Sequence, residues 1–482
     1  MSRVYVYLWF DIEDYVTEEA DDPTLIFLDI LRKQKVPVTC KLVAEEVRAL
    51  MDRGRTDVLS AISQCDVGYH SDTHSQHPTV WEYLAERDLT SGAKEFLSRE
   101  ERGVQLIREV FHRVPTCYGH PGVMWAPHVY PALCSMGISM YLDETKILNL
   151  NDEPYWYCGM LNLNGAGRNL IYFDYSFERP DGIVALKSKF RRIYKRLSKS
   201  KDGGAVSICL HPHTAVNKTT WDVVNFARGE NRAKEEYERP PPQPEDVTKR
   251  AYKDFDEFIR YISSFENIQW ITARDALEIY RPPERIVIDR RELMQAATHF
   301  LSSSKYLNIH NTYLSPAEGF YLIAKSLDEY ADSNTLPIQI EVKQPLGPAE
   351  PFKSKGELRF STRDLLTAST TASAYMTSEK MIPASLKVGN SAQLSPHDFL
   401  STACKLVIAI RSGSGRERVT LKKGSRPQLS CLKRAAFEKD CRWTVLPRRF
   451  AAPKIFEQAC LQAWTLKPAV ANNSNAPIQR QP

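Results

Sequence analysis

Val4-Tyr5-Val6-Tyr7-Leu8-Trp9-Phe10-Asp11-Ile12-Glu13-Asp14 decides how the chain begins to fold. The uninterrupted apolar run from Val4 to Phe10 is the pattern of a strand buried on both faces, as in a parallel sheet covered by helices. Carboxylates then arrive at Asp11, Glu13 and Asp14, where such a strand ends. Side chains alternate along a strand, so Asp11 and Glu13 share a face.

Two further strand ends carry polar chemistry. His70-Ser71-Asp72-Thr73-His74 follows a strand expected over 66–69, and His211 closes the apolar run Val206-Ser207-Ile208-Cys209-Leu210. Two imidazoles and a carboxylate are the donor set of a catalytic metal site that keeps a position open for water. A further carboxylate and histidine supply a base and an acid. Acid cluster, paired histidines and strand-end histidine together point to hydrolysis.

The 482 residues exceed one average core, so two or more domains are expected. A hydrophobic content of 43% and a charged content of 26% are those of an ordinary globular protein. No run of 18 apolar residues exists, which excludes a transmembrane helix. Met1-Ser2-Arg3 leads straight into the first strand, and Asp11 and Glu13 interrupt any apolar signal region, so a cytoplasmic protein is expected. Ten cysteines without CxxC spacing read as buried thiols of a reducing compartment. Nothing resembles a nucleic-acid module. The net charge of +5 is uneven: residues 411–482 hold 15 Lys and Arg against 4 Asp and Glu. That stretch is expected as a partly ordered, solvated basic tail with the charge to touch anionic polymers.

From 1 to 282, strands alternate with helices. Strands are expected at 4–10, 37–43, 66–69, 138–142, 169–173 and 205–210, and helices at 24–34, 55–64, 91–110 and 248–264. This rhythm predicts an α/β fold with parallel strands. Asp11, His70 and His211 all follow strands, which favours a barrel. Lys187 to Leu197 reads as an amphipathic barrel helix with a solvated basic face, Phe190, Ile193, Tyr194 and Leu197 pointing inward. Arg239-Pro240-Pro241-Pro242-Gln243-Pro244 is a surface loop before a helix, and Arg281-Pro282-Pro283-Glu284 the domain boundary. Beyond 285, Ser315-Pro316-Ala317-Glu318 and Ser361-Thr362-Arg363-Asp364 stand 46 residues apart, as do Leu336-Pro337 and Ile382-Pro383. Ser395-Pro396-His397-Asp398 opens another copy. Each is a capped helix start, so a helical repeat region is expected over 285–410.

On Asp11 with Glu13/Asp14, His70-x-x-x-His74 and Leu210-His211, residues 1–282 resemble the polysaccharide deacetylases, carbohydrate esterase family 4, with its NodB homology domain. The resemblance implies a distorted (β/α) barrel, a bound divalent metal, zinc first and cobalt, nickel or iron as others, and N-deacetylation of an N-acetylated sugar or glycan. A spaced acid pair resembles the subgroup that includes peptidoglycan-deacetylase-like proteins and allantoinase-like amide hydrolases. The C-terminal repeats resemble pseudomurein-binding repeats, which implies glycan contact there.

The resemblance assigns Asp11 as base, His211 as acid, and His70 and His74 as metal ligands with Glu13 or Asp14. Two positions depart from the family pattern: Ile12 stands where the metal-binding aspartate would follow the base, and His120 stands where an arginine would orient it. His120, Pro121, Gly122 and Trp125 are expected at the substrate. His77, His128 and His213 are expected as pocket or surface polar groups, and Tyr130 and Trp156 as core aromatics or sugar-stacking rings. The rival readings are a metal-free, allantoinase-like hydrolase of a non-sugar amide and a catalytically silent glycan-binding protein.

Overall fold

A computed structural model describes residues 2–472 apart from 165, 166, 178, 202, 391, 415, 416 and 428. Ten strands form one sheet with a late eleventh: β1 (Val4–Ile12), β2 (Thr39–Leu42), β3 (Asp66–Tyr69), β4 (Cys117–Tyr118), β5 (Met140–Asp143), β6 (Tyr155–Tyr157), β7 (Met160–Asn164), β8 (Leu170–Tyr172), β9 (Gly204–Leu210) and β10 (Ile268–Ile271). The order β7-β5-β4-β3-β2-β1-β9-β8 is parallel throughout. β10 joins parallel to the first half of β1, and β2 to its second half. The sheet curls until its β8 edge reaches the end of β5 through side chains: the Tyr172 hydroxyl at the end of β8 donates to Glu144, just after β5. The result is a distorted, open (β/α) barrel.

Period-two alternation on β1 builds its two cores. Val4, Val6, Leu8, Phe10 and Ile12 face the helix layer, packing with residues such as Phe27, Leu31 and Phe255. Tyr5, Tyr7 and Trp9 face the barrel interior with Met140, Leu161, Leu170 and Ile271. Asp11 and Glu13 continue that inward series, so the interior changes from apolar to charged as β1 approaches its C-terminal end.

Helices form where expected, at Asp21–Gln34, Thr56–Ser63, Leu89–Phe111, Gly182–Leu197 and Glu245–Ser263. In Gly182–Leu197 the buried side holds Phe190, Ile193, Tyr194 and Leu197, and the basic residues ring the other side.

The mainly helical region after the boundary carries paired strands that sequence reading did not anticipate: β11 (Val287–Asp289), β12 (Leu307–Ile309), β13 (Thr312–Leu314), β14 (Gln339–Glu341), β15 (Lys355–Gly356), β16 (Arg359–Ser361), β17 (Leu386–Val388), β18 (Ala392–Leu394) and β19 (Arg418–Thr420). β11 pairs with β14, β12 with β13, β16 with β19 and β17 with β18, all antiparallel. The repeat unit is therefore strand, helix, hairpin, helix, strand, occurring twice. Ser315 and Ser395 cap equivalent helices, whereas Ser361 is the counterpart of Asp289, which also forms a capping box, with Glu292. The 46-residue offset thus joins the second helix of one unit to the first of the next. Aspartate caps as well as serine, which hid the first copy from a search for serine.

Within the stretch expected as a partly ordered, solvated tail, residues 431–468 fold back on the barrel, while 473–482 lie outside the described residues. Phe437, Cys441, Leu446, Ile455, Phe456 and Ala459 belong to the main core. A last strand, β20 (Lys467–Pro468), pairs with β6, and Lys467 makes a buried ion pair of 2.6 Å with Glu318 of the repeat region. No helix among the described residues is long and apolar enough to cross a membrane.

Candidate catalytic centre at the carboxyl ends of the strands

A cavity of about 270 Å³ opens where the strands end, lined among others by Asp11, Glu13, His70, His74, Asp174 and His211. The turn carrying both histidines is anchored through buried Asp72, which pairs with Arg48 at 2.7 Å and Arg102 at 2.6 Å. Its backbone N–H donates to Glu100. Ser71 and His74 adopt left-handed φ of 73° and 55°, a conformation that persists only where its surroundings impose it.

Hydrogen bonds fix both imidazoles the same way. His70 Nδ1 lies 3.0 Å from the Gly119 carbonyl, which can only accept, so Nδ1 carries the proton and Nε2 is turned to Glu13 at 3.2 Å. Ser75 donates its hydroxyl hydrogen to Asp222 at 3.0 Å and therefore accepts from His74 Nδ1 at 2.7 Å. His74 Nε2 is also 3.2 Å from the same Glu13 oxygen, without a hydrogen bond of acceptable geometry. Both Nε2 atoms thus converge on one carboxylate oxygen, the arrangement of a protonated imidazole paired with a carboxylate or of a donor set around a cation. Burial opposes charge on Glu13, but the neighbouring His74 and His70 outweigh it and hold the carboxyl well below its usual range. Burial likewise opposes the His74 proton, and Glu13 overrides it, raising that imidazole.

The donor atoms of Glu13, His70 and His74 lie within 4.8 Å of one another. Two overlapping groups, Asp11-Cys209-His211 and Asp11-His70-Asp143, meet the same distance. In both, Asp11 already has a cation: Lys41 Nζ sits 2.9 Å from Asp11 and 2.9 Å from Asp143. The trio is the set that Lys41 does not touch, and its donor chemistry suits a divalent ion. Asp14 turns away; its carboxylate accepts from Val16 and Thr17 N–H groups and from Asn217.

The cation beside Asp11 is Lys41, on β2, and not a residue at position 120. It faces Asp11 in register across β1 and β2 and is wholly buried. A Cβ on Gly119 would stand 2.2 Å from Lys41 Nζ and 2.5 Å from Asp143 Oδ2, so only glycine leaves room for this pair. His120 lines the cavity beside it, 3.0 Å from the Tyr141 hydroxyl, and burial pushes its pKa down to about 4, so it is neutral.

His211 completes the centre. Asp174, directly after β8, accepts from His211 N–H at 3.0 Å and contacts Nδ1 at 2.6 Å, while Nε2 faces Asp11 Oδ2 at 3.5 Å. Burial works against the imidazolium, but Asp174 prevails and pushes the pKa up to about 10. His211 is then charged at neutral pH, the state a proton donor needs. Asp174→Asn returns it toward the ordinary ~6.5, so a rate that needs the charged form falls about 30-fold at pH 8 and recovers below pH 6.5. A pH–rate profile of both proteins checks this. A raised folded-state pKa also contributes stability that is complete below the unfolded value and fades as pH climbs to about 10.

Other expected residues fall elsewhere. Gly122 lines the cavity, but Trp125 is buried in the core, donating to the Tyr130 hydroxyl, which passes the chain on to Asn162; Tyr130 is a core ring as well. The Pro121 carbonyl accepts from Met124 N–H in a turn, and half-buried Trp156 lies on β6, opposite Lys467 of β20. His77 bonds Glu82 and the Phe226 carbonyl, His128 the Arg87 carbonyl, and His213 is buried behind His211. Sequence reasoning missed Lys41, Asp143, Asp174 and Trp443. The last reaches the cavity from the C-terminal segment and covers Gly122, where a Cβ would lie 2.4 Å from its ring.

No family model and no curated protein matches the chain. Solved structures do. A probable polysaccharide deacetylase from Pseudomonas aeruginosa PAO1 is 11% identical over 57% of this chain and 90% of its own, with a TM-score of 0.40. Puue allantoinase is 13% identical over 58% and 93%, with a TM-score of 0.40. A mutant of the peptidoglycan deacetylase PdaC from Bacillus subtilis is 14% identical over 57% and 91%, with a TM-score of 0.30. The chain is similar to these proteins over somewhat more than half of its length, and the chemistry has to be read from its own side chains.

Proposed function

We propose that the protein is a metal-dependent amide hydrolase that removes acetyl groups from an N-acetylated amino sugar or glycan. One observation carries the reading: two imidazoles, fixed in one tautomer, converge on Glu13 beside an aspartate held by lysine and a histidine held by aspartate. Glu13, His70 and His74 would hold a divalent cation, zinc being the natural choice for this donor set. Such an ion, when bound, polarises an amide carbonyl and lowers the pKa of water.

The chain's own groups move the protons. Asp11, oriented by Lys41, accepts the proton of the attacking water. His211 gives its Nε2 proton to the departing nitrogen, and Asp174 keeps the ring aligned and charged. After turnover Asp11 holds a proton and His211 lacks one. Their separation of 3.5 Å lets the proton pass between them and restores the starting state. The cavity, at about 270 Å³, is smaller than a typical drug-sized site of ~300–1,000 Å³. It admits the acyl-amide end of a substrate and leaves the remainder outside.

The test is acetate release from N-acetylglucosamine oligomers by the full chain, with allantoin as the competing non-sugar amide. Acetate release abolished in His70→Ala/His74→Ala is expected. Turnover of allantoin without acetate would transfer the substrate class to non-sugar amides, and undiminished acetate release by the double variant would overturn the mechanism.

A further inference from the structure

Next to the catalytic cavity lies a second, open cavity of about 810 Å³, and Trp443 lines both. Its border is strongly basic: Arg228, Arg434, Arg442, Arg448 and Arg449 stand there with the carboxylate of Glu438. Arg434 is engaged, stacked 4.6 Å over Phe456 and 4.0 Å from Glu438. The other four arginines are exposed and make no ion pair among the described residues.

The wall is built, not a loose tail. Arg228 N–H donates to Thr444 at 2.9 Å and Gly229 N–H to Val445 at 3.0 Å, which ties the loop around Arg228 to the C-terminal segment. Arg228 and Arg449 both hold left-handed φ of 63°, a conformation unfavourable for a residue with a Cβ. Packed beneath the charges are buried Phe437 and half-buried Phe450, which lie against the Trp81 ring of the barrel. Four unneutralised guanidiniums around an aromatic floor are a receptor for a flexible anionic chain, since guanidinium pairs bidentately with carboxylate or phosphate and lies flat on rings.

We propose that this groove binds the acidic part of the substrate: a glycan strand bearing carboxylate or phosphate groups, which crosses Trp443 to place one N-acetyl group in the catalytic cavity. The proposal rests on the amide-hydrolase reading of that cavity. It gives the basic C-terminal segment a place in substrate selection and explains why this segment folds back on the barrel.

The test is fluorescence anisotropy with the full-length protein and three labelled probes. These are an oligosaccharide in which N-acetylglucosamine alternates with glucuronate, a neutral N-acetylglucosamine oligomer of equal length, and single-stranded DNA of equal charge. At about 50 mM salt the acidic glycan binds at least tenfold more tightly than the neutral one, and the preference fades as salt screens it. Arg442→Glu/Arg448→Glu removes the preference, and the milder Arg442→Ser/Arg448→Ser reduces it. Equal affinity for the two glycans, a preference unchanged in the variants, or tighter binding of DNA than of the acidic glycan would overturn the proposal. The two readings fail separately. Acetate release from the neutral oligomer without acidic preference removes the groove alone. Acidic preference without any acetate release removes the hydrolase alone.

Discussion

Lys41→Met is expected to cost about 3–5 kcal/mol of folding stability, because removing one partner of a buried ion pair leaves uncompensated charge inside. Here the loss is double. Lys41 is wholly buried with Asp11 and Asp143 each 2.9 Å from its ammonium, and methionine keeps the volume while deleting the charge. Burial would raise Asp143, and Lys41 is the first of the groups that keep it below the ordinary carboxylate range instead. Without Lys41 that carboxyl climbs, so protonation rescues the variant as pH falls, and the deficit is largest at neutral and higher pH. Urea titrations of both proteins at pH 5 and pH 8 measure this. A variant as stable as the parent at pH 8 would contradict the buried triad.

Asp11→Asn is expected to reduce turnover by ~10²–10⁴, the range for losing a general base, while the substrate KM and the bound metal stay near their parental values. Asparagine has the shape of aspartate but cannot take a proton from water. Lys41 retains Asp143 as partner, so the variant should fold. The separation of turnover from metal content is the informative part. If the ion were held by the Asp11-Cys209-His211 group, both quantities would drop together. Steady-state kinetics with parallel metal analysis decides between the two arrangements.

Much of this centre was legible in the sequence because strand ends in a parallel sheet gather at one rim. The rule that found Asp11, His70 and His211 applies equally to Asp143 and Asp174, which end β5 and follow β8. They were missed because carboxylates close to a strand are common, and only their partners, Lys41 and His211, distinguish them. Lys41 had its own signal: a lone charge between Cys40 and Leu42 in a buried strand, which needs a buried counter-ion. Spacing favours Glu13, which shares a strand face with Asp11, and leaves Asp14 open only if the strand ends before it; the turn N–H groups of Val16 and Thr17 capture Asp14. Trp443 was beyond local reading altogether. It arrives from more than 300 residues downstream of Gly122, through packing of a segment whose charge had suggested a solvated tail. The short strands of the repeat region were hidden for a related reason: three-residue ladders leave almost no periodicity to read.

The measurement that bears most directly on this account is the metal content of the purified full-length protein and of His70→Ala/His74→Ala, by inductively coupled plasma mass spectrometry after equilibration with zinc. One ion per chain in the parent, absent from the double variant while Asp11→Asn retains it, is the predicted result. No ion in the parent, or an ion kept by the double variant, would contradict the assignment of Glu13, His70 and His74 as the metal-holding set.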